Sequence, residues 1–274
     1  MTARPPVRAL AAALAVLSAT ASAGTLTIKG SDTMVTLVQR WARTFREQNP
    51  DVRIQVTGGG SGTGLAALVE GSTDLAMSSR PLAPVEVERL TAKTGHAPAV
   101  ISVARDGVTF FVHPSNPITS MTPGRLASVL LGDVARWSEL GGPDRRIILY
   151  TRETTSGTSE YVRASLLSHQ DFAPLSQPLP GTGAVVNAVS REPFALGFGG
   201  AAFAKGVRPL AVEVDGQAVA PTPDAVRSGR YPFTRAVTFV FARPPSGDAR
   251  RFVEWVLSDE GQALAVAAGF FPVT

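Results

Sequence analysis

The chain has no cysteine, which excludes structural disulfides, thiolate metal sites and a lipid-modified cysteine anchor. Its histidines number three, His96, His113 and His169. No pair of histidines or carboxylates has metal-ligand spacing. Beyond the first two dozen residues no apolar run approaches the ~20 residues that span a bilayer. The net charge is only +4, mostly from scattered arginines. The basic patch interleaved with aromatics that nucleic-acid binding requires is therefore missing. There is no G-x-S-x-G elbow and no Gly-Lys-Ser/Thr to end a P-loop. The histidines lie far in sequence from Ser61 and Ser156, although a triad assembled in space is not excluded on that ground. Internal repeats, low-complexity segments and long linkers are also absent.

What is present begins with a leader pattern. Arg4 and Arg8 form a positive start, residues 9–20 an apolar run, and Ala21-Ser-Ala23 a small-residue cleavage site. Residues 1–23 are expected to be a cleaved secretory signal, since the run is shorter than a membrane anchor needs. An exported, cysteine-free, unanchored chain fits a periplasmic protein.

The most informative stretch is Arg152-Glu-Thr-Thr-Ser-Gly-Thr-Ser159. It sets a guanidinium four residues before a Ser-Gly-Thr turn that opens an expected helix over 160–167. Backbone N–H groups at a helix start lack intrahelical partners and form an anion site. Hydroxyls and a fixed fork of donors beside them suit a tetrahedral oxyanion. Similar turns recur at Gly30-Ser-Asp-Thr33 and Gly58-Gly-Gly-Ser-Gly-Thr-Gly64.

The order of elements places these turns. Leu26 and Ile28 alternate with polar neighbours as a strand. Val35, Val38, Trp41, Ala42 and Phe45 form one face of a helix ending at Asn49-Pro50. Trp41 and Phe45 are expected in the core on that spacing. A strand over 52–56, a helix over 65–70 and a strand over 74–77 ending at Ser78-Ser79-Arg80 follow. Strands alternating with helices imply an α/β fold with a mostly parallel sheet, whose ligands gather beyond the strands' carboxyl ends. Two apolar strands, 107–113 and 236–242, look like crossovers between two lobes. Lobe 1 is then 24–106 plus 240–274, and lobe 2 is 107–239. Within lobe 2, a helix is expected over 122–130 and a strand over 147–150, directly before Arg152.

The glycine loop 58–64 carries several readings. A dinucleotide pattern fits Gly62, Gly64 and Ala67, but no strand-end acid stands where a ribose needs one. A nest of N–H groups with Ser61 would cradle a smaller anion, and a plain surface loop is the bland alternative. A structural ion pair is the bland reading of both arginines; the place of Arg152 after a strand and before a helix-start turn favours the ligand role, whereas Arg80, with Pro81 next, is balanced between the two.

Several segments taken in order resemble the phosphate-binding receptors of Pst-type phosphate ABC importers. They are Ile28-Lys-Gly-Ser-Asp-Thr-Met34, the loop 58–64, Asp74-Leu-Ala-Met-Ser-Ser-Arg80 and Arg152-Glu-Thr-Thr-Ser-Gly-Thr158. Ala195-Leu-Gly-Phe198, Tyr231-Pro-Phe233 and the tail over 252–272 add to them. The resemblance covers nearly the whole chain after residue 23. It implies a type II periplasmic-binding-protein fold, with phosphate in an interlobe cleft and lobes that close by a hinge. Carried over by motif, the ligand set is Ser31, Thr33, Ser61, Ser79, Arg152, Ser156, Gly157 and Thr158. Arg80 and Asp32 join it as candidates, Asp32 as acceptor of the proton phosphate retains or, alternatively, as a helix N-cap. Some members carry Asp where Ser79 stands, and many carry Asn where Thr182 stands, which weakens a role for Thr182. The expectation is a monomeric, non-enzymatic receptor that hands inorganic phosphate to an inner-membrane ABC permease, with no cofactor and no metal. Another oxyanion such as molybdate, tungstate or sulfate, a secreted phosphate-ester hydrolase and a sensory or adhesive protein remain as alternatives.

Overall fold

A computed structural model describes residues 24–273. The expected leader, 1–23, lies outside the described residues. Alternation makes β1 (Thr25–Gly30), which buries Leu26 and Ile28. Helical spacing makes α1 (Asp32–Gln48), with Met34, Leu37, Val38, Trp41 and Phe45 on its buried face. Next come β2 (Arg53–Thr57), α2 (Ser61–Glu70), β3 (Leu75–Ser78) and α3 (Pro84–Thr94). The long strand β4 (Ala99–Val112) leads into the second half of the molecule.

That half contains β5 (Ser120–Met121), α4 (Pro123–Leu131), β6 (Ile148–Arg152), α5 (Gly157–Leu166), β7 (Gln177–Leu179) and α6 (Gly181–Val189). It continues through β8 (Ala195–Gly200), β9 (Arg208–Pro209), β10 (Ala211–Val214), β11 (Gln217–Val219) and α7 (Pro223–Arg227). The chain then returns along β12 (Thr234–Phe241) and finishes in α8 (Gly247–Val256) and α9 (Asp259–Ala267).

One sheet runs through both halves in the order β2-β1-β3-β12-β4-β8-β6-β7, with β9 also on β4; β11-β10-β5 form a small separate sheet. The strand β4 changes partner along its length. Residues 99–107 pair with β12, and Val108–Val112 pair with β8. Beside that switch, Val108 N–H donates to Phe233 O at 2.8 Å.

Each lobe has its own core. In the first, Trp41 meets Phe239 edge-on, Phe45 meets Phe252, and Trp41 Nε1 donates to Gly261 O at 2.7 Å. The expected core role of Trp41 and Phe45 is thereby met, and each such side chain contributes roughly 1.5–3 kcal/mol by burial. The second core gathers Phe110, Trp137, Phe198, Tyr231 and Phe233.

The structure differs from the sequence expectations in the direction of some strands and in two helix starts. The strand expected over 236–242 is β12, over Thr234–Phe241. It is inserted antiparallel between β3 and β4, and Val237 and Phe239 pack in the first core. An apolar run reports burial on both faces but not which neighbours bury it. For the same reason the sheet is mixed: β1 is parallel to β2 and β3, and β6 to β7 and β8, whereas β12 and β8 pair antiparallel with β4. Finally, α2 and α5 begin at Ser61 and Gly157, earlier than expected. Gly and Ser are poor interior helix formers but are accepted in a first turn.

Candidate functional site

The turns after β1, β2, β3 and β6 converge where the lobes meet. Ser31 precedes α1, yet its hydroxyl makes no cap bond to that helix and donates instead to Ser79 Oγ at 2.9 Å. Ser61, the first residue of α2, accepts the Ser79 N–H at 3.1 Å and lies 3.3 Å from Ser79 Oγ. Ser31, Ser61 and Ser79 thus form one buried hydroxyl cluster.

The second lobe meets this cluster with the start of α5. Gly157 sits so close that a β-carbon there would overlap Ser61 Oγ and lie 2.7 Å from Ser79 Oγ. Only glycine allows that approach. One residue on, Thr158 Oγ1 lies 3.2 Å from Thr33 Oγ1 of α1. Gly62 N–H donates to Thr155 O at 3.0 Å, so the lobes touch through backbone as well. The N-terminal turns of α1, α2 and α5 therefore meet here, each adding partial positive charge.

Arg152 ends β6, and its side chain is only 1% exposed. Nε and Nη2 donate to Glu153 at 3.0 and 2.8 Å, Nη1 to Thr182 Oγ1 at 2.7 Å, and Nη2 to Asp32 Oδ2 at 3.0 Å. The last bond joins the two lobes. Burial works to raise the Glu153 carboxyl, but the hydrogen bond and charge of Arg152, with backbone N–H groups, hold it below its ordinary value. Asp32 also accepts the Gly59 N–H at 2.8 Å through Oδ1. Asp32 does not cap its own helix: the N-cap position belongs to Ser31.

Two expected ligand residues have other partners. Ser156 is the N-cap of α5, its hydroxyl oxygen accepting from Thr158 N and Ser159 N. Its O–H proton remains available. Arg80 points its donors at Glu86 (2.7 and 2.8 Å) and Pro81 O, bracing the loop before α3. Among the described residues its side chain makes no hydrogen bond to the hydroxyl cluster.

Other residues escaped the sequence reading. Glu153 and Thr182 hold the Arg152 fork, although the family departure at 182 argued against Thr182. Asp106 in β4 and Arg235 in β12 form a buried ion pair at 2.8 Å, and Arg235 Nη2 also reaches Thr158 Oγ1 at 3.0 Å. Complete burial pushes the Asp106 carboxyl above its ordinary range, against the pull of Arg235. A charge interrupting an otherwise apolar strand was the available signal, because buried charges require partners.

Among the described residues no group of three or more His, Cys, Asp and Glu could hold a metal ion, and no helix is long and apolar enough to cross a membrane. No cleft serine is hydrogen-bonded to a histidine; His113 pairs with Ser115, and His169 with Glu160. Hydroxyls, helix-start N–H groups and guanidinium donors make a site for an oxyanion.

Known proteins are similar to this chain over most of its length. The PBP superfamily domain matches residues 16–260. The phosphate-binding protein PstS of Pseudomonas aeruginosa is 30% identical over 269 residues, which span 91% of this chain and 83% of that protein. This chain belongs to the PstS family of the PBP superfamily. The PstS of Bacillus subtilis is also 30% identical, over 257 residues that span 92% of this chain and 82% of that protein. A structure from Clostridium perfringens, described as a candidate phosphate ABC transporter substrate-binding protein with bound phosphate, matches at a TM-score of 0.83 and 25% identity. The match covers 92% of this chain and all of that one (100%). The two-lobe fold, with its sheet running through both halves, is the type II periplasmic-binding-protein fold of this PstS family.

Proposed function

We propose that this chain is a receptor that binds inorganic phosphate between its lobes and delivers it to an ABC permease of the inner membrane. The observation that carries the reading is the meeting of the Ser31–Ser61–Ser79 hydroxyls with Gly157 and Thr158 at the start of α5. Donors from both lobes can then replace the hydration that a buried oxyanion loses. The proposed ligand set is Ser31, Thr33, Ser61, Ser79, Gly157, Thr158 and Arg152, with the Ser156 O–H beside them. Asp32 is the acceptor for the ligand's remaining proton. Arg152 and Asp32, on opposite lobes, also close the cleft by their ion pair, so binding and hinge closure draw on the same side chains.

The hydroxyls lack a base that would make any of them a nucleophile, which favours a receptor over a hydrolase. The leader pattern over 1–23 and the absence of cysteine favour release into the periplasm, checked by whether osmotic shock frees the protein. Calorimetric titration with phosphate, arsenate, sulfate and molybdate tests the ligand. Phosphate and arsenate should bind alike, while sulfate and molybdate, which lack the proton at neutral pH, should bind far more weakly. Heat from molybdate or sulfate but none from phosphate would overturn the reading.

A further inference from the structure

The Asp106–Arg235 pair sits where β4 changes partner. The two residues face each other in register across β12 and β4. Arg235 donates to Asp106 Oδ2 from Nη2 at 2.8 Å and from Nε at 3.2 Å. The side chains are 2% and 0% exposed, and the Tyr161 ring covers the guanidinium at 5.4 Å from its centroid.

The other edge of the guanidinium has a different character. Nη2 reaches beyond Asp106 to Thr158 Oγ1 at 3.0 Å and Thr33 Oγ1 at 3.4 Å, hydroxyls of opposite lobes. Nη1, bonded to the same carbon as Nη2, is buried with no hydrogen-bond partner among the described residues. A buried guanidinium N–H without an acceptor is costly. Hinge packing alone gives no account of a donor left unmet beside the ligand cluster. Hydroxyls that accept from an arginine also keep their own protons for another acceptor. One proton of the Thr33–Thr158 pair is shared between their hydroxyls; the other and the unmet Nη1 therefore form a second set of donors, on the side of the cleft facing the hinge.

We propose that Arg235 is a second anion-binding arginine of the cleft: Nη1 donates to the bound oxyanion, Nη2 orients Thr33 and Thr158 toward it, and Asp106 holds the guanidinium at the hinge. This rests on the reading of the cleft as a phosphate site. The arrangement makes the residue that contacts the ligand part of the strand pair about which the lobes turn.

Phosphate titration of the full chain, with thermal melts in parallel, tests this in the wild type and two variants. The double variant Asp106→Asn/Arg235→Gln removes both charges together and leaves groups able to pair. It should melt cooperatively but bind phosphate about 100-fold more weakly, as expected for losing a buried charged donor. Asp106→Asn alone leaves Arg235 cationic and less neutralised, so phosphate should bind about tenfold more tightly. A purely structural pair would move both variants in the same direction or neither. Weaker or unchanged binding in Asp106→Asn overturns the proposal, as does wild-type affinity in the double variant. If the double variant does not fold, the single variant decides by the sign of its change. A wild type that binds no phosphate would instead remove the reading beneath.

Discussion

Replacing Asp32 by Asn tests the ligand chemistry most directly, because the structure gives its two oxygens separate tasks. Oδ1 accepts the Gly59 N–H at 2.8 Å, and Oδ2 accepts Arg152 Nη2 at 3.0 Å. Asparagine can accept through only one oxygen. Its amide would therefore face either Gly59 N–H or the guanidinium, donor against donor. Phosphate near neutral pH retains a proton that a carboxylate can accept, whereas sulfate offers none and meets only repulsion. At about 4 Å and an effective dielectric of ~20, like charges cost ~4 kcal/mol. The side chain is 22% exposed and paired with Arg152, so solvent and counter-charge reduce that to about 1.4 kcal/mol, or ~10-fold. Phosphate affinity should fall, sulfate affinity should rise, and the ratio between them should narrow by at least about tenfold. Parallel calorimetric titrations with both anions read the ratio. An unchanged ratio would remove Asp32 from the ligand set and leave it the interlobe tie to Arg152 alone.

Arg152→Ala should weaken phosphate binding by about 2–5 kcal/mol. It should also lower the melting temperature of the ligand-free protein, since Glu153 and Asp32 lose their common cation; an unchanged melt with wild-type affinity would refute both expectations. Arg152→Lys should recover little, because an ammonium cannot hold Glu153, Asp32 and Thr182 at once as the fork does. Gly157→Ala places a methyl against Ser61 and Ser79, so it should hold the lobes apart and weaken binding while both cores still melt cooperatively; small-angle scattering that shows normal closure would count against it. Glu153 has a depressed pKa in the folded state, so its stabilising effect is present above its unfolded pKa and fades as pH falls through the folded one. The stability difference between wild type and Glu153→Gln should therefore shrink on acidification below the ordinary glutamate range, and a difference independent of pH in chemical denaturation would show that the Arg152 pairing contributes nothing.

Much of the site was legible because its signals are local. A strand ending in Gly-Ser or Ser-Gly-Thr before a helical pattern is determined by residues within one turn of each other, so Ser31, Ser61, Gly157 and Thr158 could be singled out directly. The buried face of α1 followed from spacing alone, as Trp41 and Phe45 show. The sequence position of Arg80 suits a loop brace as well as a ligand role, and its pairing with Glu86 is visible only in the tertiary structure.

What required the tertiary structure are contacts whose partners lie far apart along the chain. Arg235 meets Asp106 only because β12 enters antiparallel between β3 and β4 in one register. Slipping that register by one residue would turn Arg235 to the other face. Thr182 reaches Arg152 only because α6 begins beside the end of β6. The sequence by itself determined where helices start, which faces are apolar and which turns can hold an anion, since these depend on backbone preferences and periodicity over a few residues. Which charges are buried together, and which lobe holds the returning strand, depend on strand order and register. Those follow from the packing of the whole chain.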